Sequence, residues 1–110
     1  MRSRPHPEAS QELEGAGIRY EKEEAGLGLA FLEEVFRGIA TIEESSGTWP
    51  VVRKRPRIQR FLLSRFPFSI LYQVRGDHIL IIAIAHDCRA PLPVVIARSS
   101  RLGPSARWIA

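Results

Sequence analysis

Read from the N-terminus, the hydrophobic pattern first follows a helical period. Ala9, Leu13, Ala16 and Tyr20 fall on one stripe of an amphipathic helix. Pro7 followed by Glu8 suits its first turn, because proline's φ is already helical and an acid complements the free N–H groups there. Gly15 and Gly17 weaken it, by about 1 kcal/mol each relative to alanine. The run AGLG at 25–28 ends it, with Gly26 expected as the left-handed residue just past the last turn. A second helix follows, with Leu32, Val35, Phe36, Ile39 and Ile42 on one face. Glu33, Glu34, Arg37, Glu43 and Glu44 occupy the other, and SSGTWP at 45–50 stops it. Two such stripes with a short connection predict an antiparallel helix hairpin that buries its apolar face on a sheet.

After residue 50 the period drops to two. VVRKRPRIQR (51–60) is basic, and Pro56 makes its first part a loop or a sheet edge. A first strand is expected from about Arg57 to Ser64. In a second, Phe66, Phe68, Ile70, Tyr72 and Val74 alternate with Pro67, Ser69, Leu71 and Gln73, the signature of a half-buried strand with Tyr72 in the core. RGD at 75–77 turns the chain, Gly76 supplying the backbone angles. Turn chemistry accounts for that triplet, so no adhesion role is read into it. The third strand, Ile79 to Ala85, is apolar at every position, which predicts a central place or cover on both faces. VVIA at 94–97 reads as one more short strand, and after Arg98 there is no periodicity. The expected organisation is one domain over 1–98 and a flexible tail over 99–110.

Composition narrows the picture. The 110 residues, 45% of them hydrophobic, suit one domain with a modest core rather than a disordered chain. A single cysteine, Cys88, excludes an internal disulfide and fits a reducing compartment. MRSRPHPEAS lacks the apolar run of a secretory signal, and nothing is long enough to span a bilayer, so a cytoplasmic location is expected. The net charge of +4 conceals an asymmetry: residues 1–44 hold ten acidic and five basic side chains, residues 45–110 two acidic and eleven basic. A basic face of this kind suits nucleic acid, a ribosome or an acidic protein.

The candidate chemistry collects at strand ends. Arg60 and Arg65 lie in or beside the first strand, and His86 and Arg89 at the end of the third. Metal-free RNA cleavage needs a base for the 2′-OH, an acid for the leaving oxygen and cations for the developing charge. Histidine suits the acid–base role near neutral pH, and arginines clamp phosphate. In a curved sheet these four could converge. A histidine there equally well caps a strand end, and the arginines equally well pair with an acidic protein. His86, Asp87 and Cys88 are consecutive with no second spaced pair, a poor zinc pattern, and no base is marked for Cys88; no metal or cofactor is expected.

Four stretches carry a resemblance: GLGLAFLEEV (26–35), WPVV (49–52), RFLLSRFPFSILYQV (60–74) and AIAHDCRAP (83–91). In this order and spacing, over roughly 8–91, the chain resembles the RelE/ParE superfamily of bacterial toxin–antitoxin toxins. The resemblance implies an α+β fold, an N-terminal antiparallel helix hairpin packed on a small, curved, mostly antiparallel sheet. It also implies a growth-inhibiting toxin of the plasmid-stabilisation type, neutralised by a cognate antitoxin. Such toxins act as ribosome-dependent mRNA endoribonucleases or bind DNA gyrase, and DNA is contacted through the antitoxin. Arg60, Arg65, His86 and Arg89 match the family's patterned positions; Arg53, Lys54, Arg55 and Arg57 match only a generally basic region. Two departures stand out. The family's short first strand would fall on RSRPHP, where Ser3 and Pro5 are poor strand residues. No tyrosine follows Tyr72, whereas RelE-like nucleases use a C-terminal one. The second departure favours gyrase binding over cleavage, and both together also fit a decayed toxin that only binds antitoxin.

Overall fold

The helical stripes become α1 (Pro7–Glu23) and α2 (Leu27–Glu44) in a computed structural model that describes residues 1–87. Arg89, the strand expected at 94–97 and the expected tail lie outside the described residues. His6 caps α1, its Nδ1 accepting from the Glu8 N–H at 3.1 Å. The helix closes at Glu24, whose N–H donates to the Tyr20 carbonyl. Gly26 is left-handed as expected, with φ 89°, but it is the N-cap of α2 rather than the residue ending α1. Glycine has no capping side chain, and Glu21 of α1 replaces it. Its carboxylate accepts from the Gly26 N–H at 2.9 Å and the Gly28 N–H at 3.0 Å, so α1 satisfies the free donors of α2.

The period-two region folds into β2 (Val51–Lys54), β3 (Arg57–Leu62), β4 (Phe68–Arg75) and β5 (His78–His86). A fifth strand, β1 (Arg2–Pro5), precedes the helices, and the sheet order is β1-β5-β4-β3-β2. All neighbours are antiparallel except β1, which runs parallel to β5. This overturns the expectation of no strand over RSRPHP. Propensity yields to context here: β1 is an edge, where a proline is tolerated. Its Ser3 N–H and hydroxyl both donate to the Glu43 carboxylate of α2, at 3.0 and 2.5 Å. The expectation for β5 holds, since it lies between β1 and β4 and is buried from Ile79 to Ala85.

Both helices cover one face of the sheet. The core between them includes Phe31, Val35, Ile42, Phe66, Phe68, Ile70, Tyr72, Ile79, Ile81 and Ile84. Phe31 is its aromatic hub, with ring centroids 5.2 Å from Tyr20, 5.3 Å from Phe66 and 5.0 Å from Phe68. The expected stripe of α2 omitted Phe31 and included Phe36, which is 57% exposed. The buried face is centred on Phe31, Val35 and Ile42 and contains Gly28 and Gly38, which carry no hydrophobic signal. Glu34, expected in solvent, is also buried. Tyr72 is core, as expected, its hydroxyl donating to the Ser46 carbonyl at 2.6 Å. Burial pushes this phenol up to about 12 despite the opposing charge of Arg57, so it stays neutral at physiological pH. Tyr72→Phe should cost about 1 kcal/mol, one net hydrogen bond, because Ser46 keeps the Gln59 amide as a donor. The shift in urea midpoint measures it, and a loss of several kcal/mol would contradict this account.

The β4–β5 ladder contains one irregularity. Leu71 pairs with Ala83 and Tyr72 with Ile81, so Ile82 is an extra residue in β5. Before it, Ile79 and Ile81 face the helices; after it, Ile84 does, while Ile82, Ala83 and Ala85 belong to the opposite face with Ile58, Leu71 and Leu80. No described helix lies on that second apolar face.

Candidate functional site

The bulge determines where the strand-end chemistry goes. Strict alternation from Ile79 and Ile81 would send His86 to the face opposite the helices. The extra residue reverses the phase. His86 pairs with Phe68 across the ladder, and the two rings meet edge-on at 4.9 Å on the helix side. There His86 lines a small open cleft with Ala16, Arg19, Tyr20 and Glu23 of α1 and Phe68 of β4.

Arg60 lies on the other side. Its register partner is Leu71, a member of the far-face cluster. Its Nε donates to the Ser69 hydroxyl at 2.9 Å, and its terminal nitrogen lies 3.4 Å from Asp87 Oδ1. The Ser69 hydroxyl donates to that same oxygen at 2.5 Å, and the Asp87 N–H donates to the Pro67 carbonyl at 2.8 Å. The arginine and aspartate side chains are only 28% and 21% exposed, which marks the trio as a clasp holding the end of β5 rather than an open anion site. The structure therefore separates His86 and Arg60 across the sheet instead of bringing them together.

Arg65 occupies a third place, the exposed loop between β3 and β4. Its guanidinium stands 5.9 Å from the Phe66 ring centroid. Its backbone is held from below by Glu34, whose Oε2 accepts from the Ser64 N–H at 3.0 Å, the Ser64 hydroxyl at 2.9 Å and the Arg65 N–H at 3.1 Å. Burial alone would raise the Glu34 pKa. The three donors, helped by the charge of Arg37, outweigh burial and leave it below the ordinary value of 4.5. No sequence pattern flagged Glu34; the apolar residues around it in α2 were the one available signal. Arg89 lies outside the described residues, and among the described residues no cluster has the composition of a metal site.

The basic half of the chain takes definite form at the far edge of the sheet. β2 and β3 make a hairpin carrying Arg53, Lys54, Arg55 and Arg57, of which the last three are exposed. No aspartate or glutamate occurs between Glu44 and Asp77. Among the described residues none of these four cations is in an ion pair, so the hairpin presents uncompensated positive charge. Val51 and Val52 beside them, on the edge strand β2, are also exposed, 40% and 37%, and a second bulge interrupts the β2–β3 pairing between Val51 and Arg53.

No family model matches the chain, and no curated protein matches it. Among solved structures it is similar to a chain of the chromosomal ParDE TA system from P. aeruginosa, with a TM-score of 0.69 and 19% sequence identity. The match covers 76% of this chain and 92% of that one. The likeness is one of fold: two helices packed on one face of a mostly antiparallel five-stranded sheet. No helix among the described residues is long and apolar enough to cross a membrane.

Proposed function

From this ParE-like fold we propose that the chain is the toxin of a two-component toxin–antitoxin module, neutralised by a cognate antitoxin and acting by binding its target rather than by cutting RNA. The observation that carries the binding reading is the separation of His86 from Arg60, with Arg60 engaged by Ser69 and Asp87. A nuclease would need its base and its phosphate clamp on one surface. The neutral, buried Tyr72 offers no phenolate. The exposed hairpin of Arg53, Lys54, Arg55 and Arg57 supplies the recognition surface, suited to an acidic antitoxin segment and to an acidic target. DNA gyrase is one of the two targets that the resemblance over 8–91 implies, and the one that acts through binding alone. Cleavage of ribosome-bound mRNA is the second reading, favoured by the presence of His86 in a cleft with Arg19 and Tyr20.

Tightly controlled expression in bacteria tests the proposal. Growth should arrest, and co-expression of the neighbouring small open reading frame should restore it. Purified protein should inhibit gyrase supercoiling, and His86→Ala should retain that inhibition. Reversing the hairpin charge with Arg53→Glu, Lys54→Glu, Arg55→Glu and Arg57→Glu should abolish it. Cleavage of translated mRNA that His86→Ala removes would establish the nuclease instead. Folded protein with no arrest would reduce the chain to an antitoxin-binding relic.

A further inference from the structure

The outer face of α2 is used neither by the core nor by the basic hairpin. Leu29, Glu33, Phe36 and Ala40 follow one another at spacings of four, three and four, which places them on one face of the helix. All four are exposed, Leu29 at 61% and Phe36 at 57%. Leu32, half-buried beside Gly17 of α1, continues the apolar surface toward Ile18, itself 50% exposed. Large apolar side chains gathered in solvent mark a surface that meets another molecule. Arg37 flanks the strip one turn after Glu33, and both are exposed. That spacing suits an ion pair within the helix, yet among the described residues neither side chain is in one.

We propose that this face binds the same face of a second copy of the chain, the two α2 helices running antiparallel about a twofold axis at the level of Val35. A twofold interface must be complementary to itself, and this strip is. Glu33 and Arg37 stand two residues before and after Val35, so the rotation brings Glu33 of each copy level with Arg37 of the other. The two ion pairs so formed lie on the same flank of the apolar strip, as a polar rim. A parallel pairing would instead set Glu33 against Glu33 and Arg37 against Arg37, which is repulsive. The apolar positions match in the same arrangement. At about 1.5 Å of rise per residue, the two Phe36 side chains fall about 3 Å apart along the helices, at the centre of the contact. Leu29, about 9 Å from the twofold, comes beside Ala40 of the other copy at about 7.5 Å, a large side chain over a small one. This inference goes beyond the toxin reading and shares no residue with the hairpin that reading uses.

Sedimentation equilibrium of the purified full chain, over a range of protein concentrations, tests this. A monomer–dimer equilibrium is expected, weakened by salt because the ion pairs lie at the rim. Phe36→Ala should raise the dimer dissociation constant about thirtyfold, as for an aromatic anchor at the centre of an interface. Glu33→Arg alone and Arg37→Glu alone should each raise it about tenfold, by setting like charges level across the twofold. The double variant Glu33→Arg with Arg37→Glu should recover the parent value, a rescue that only a partner carrying the same exchange can give. All three residues are exposed, so these variants retain the fold, which the dispersion of the amide spectrum verifies. Arg37→Glu also removes a cation near Glu34, so its urea midpoint is read in parallel. A chain that is monomeric at every concentration, a dimer that Phe36→Ala leaves unchanged, or a double variant no better than the single ones would overturn the proposal. So would a monomer that loses its antitoxin on Phe36→Ala, which would give the face to that protein instead.

Discussion

Gly28→Ala should destabilise the protein by about 2–3 kcal/mol, although alanine is the better helix former by about 1 kcal/mol. Gly28 is where α2 presses on α1. A methyl group there would lie 2.5 Å from the Gly17 carbonyl oxygen and 3.0 Å from Cβ of Glu21. The first of these atoms is backbone, so the clash is relieved only by moving one helix off the other. That movement also strains the bond from the Gly28 N–H to Glu21, and with it the cap of α2. Gly15→Ala is the matched control, because its nearest neighbour would be the mobile end of Arg19 at 3.6 Å. It should be neutral or stabilising by up to about 1 kcal/mol. Urea unfolding with an unchanged m-value measures both. If the two alanines had the same effect, the close helix contact would not be real.

The second large effect belongs to Glu34. It is a buried carboxylate, 8% exposed, whose three hydrogen bonds tie α2 to the loop carrying Arg65. Glu34→Ala removes the charged acceptor and should cost about 2–3 kcal/mol, since bonds to an ionised group are the stronger kind and water recovers part of the loss at the exposed loop. Glu34→Gln keeps the shape but turns amide hydrogens toward N–H donors, and should cost about 1–2 kcal/mol. The pH dependence carries the sharper signature. The folded-state pKa is held below 4.5, so the unfolded chain takes up the proton first as pH falls. The stabilisation is complete above that value and is lost as pH drops through the lower folded one. Between pH 7 and pH 3, then, Glu34→Gln should approach the parent in stability, because the parent loses a contribution that the glutamine never had. Parallel profiles would remove Glu34 from this role. The other carboxylates cancel in the comparison, which makes the difference more informative than either curve.

Where the sequence is periodic in both hydropathy and chemistry, it predicted the structure well. β4 keeps its expected phase, Phe68, Ile70 and Tyr72 turning toward the helices, but the strand expected to be half-buried is buried on both faces from Phe68 to Gln73, and Val74 is exposed. β5 is the instructive failure. Seven apolar residues in a row mark a buried strand but contain no phase, so nothing in them announces that Ile82 is extra. One residue of slip exchanges every later side chain between faces. The expected convergence of His86 with Arg60 was lost at that point, and the company of Arg19 and Tyr20 was invisible for the same reason. Phe31 and Glu34 were missed differently. Glycines at 28 and 38 lie on the buried face of α2 without adding to its hydrophobic signal, which displaced the apparent stripe toward Phe36. β1 could not be found from its own residues, since what makes it a strand is the waiting edge of β5.

That edge also sets a timetable. Arg2 to Pro5 pair with His78 to Ile81, each contact joining residues 76 positions apart. β1 is thus made long before the strand it pairs with. While the chain is being made, β1 has no partner, and β5 has one open edge until the N-terminus returns to it. Contacts so distant in sequence slow folding, because the loop they close must be organised before they contribute. Synthesis and assembly of the sheet are therefore consecutive events. A chain cut before about residue 78 would lack β5, the strand to which both β1 and β4 pair.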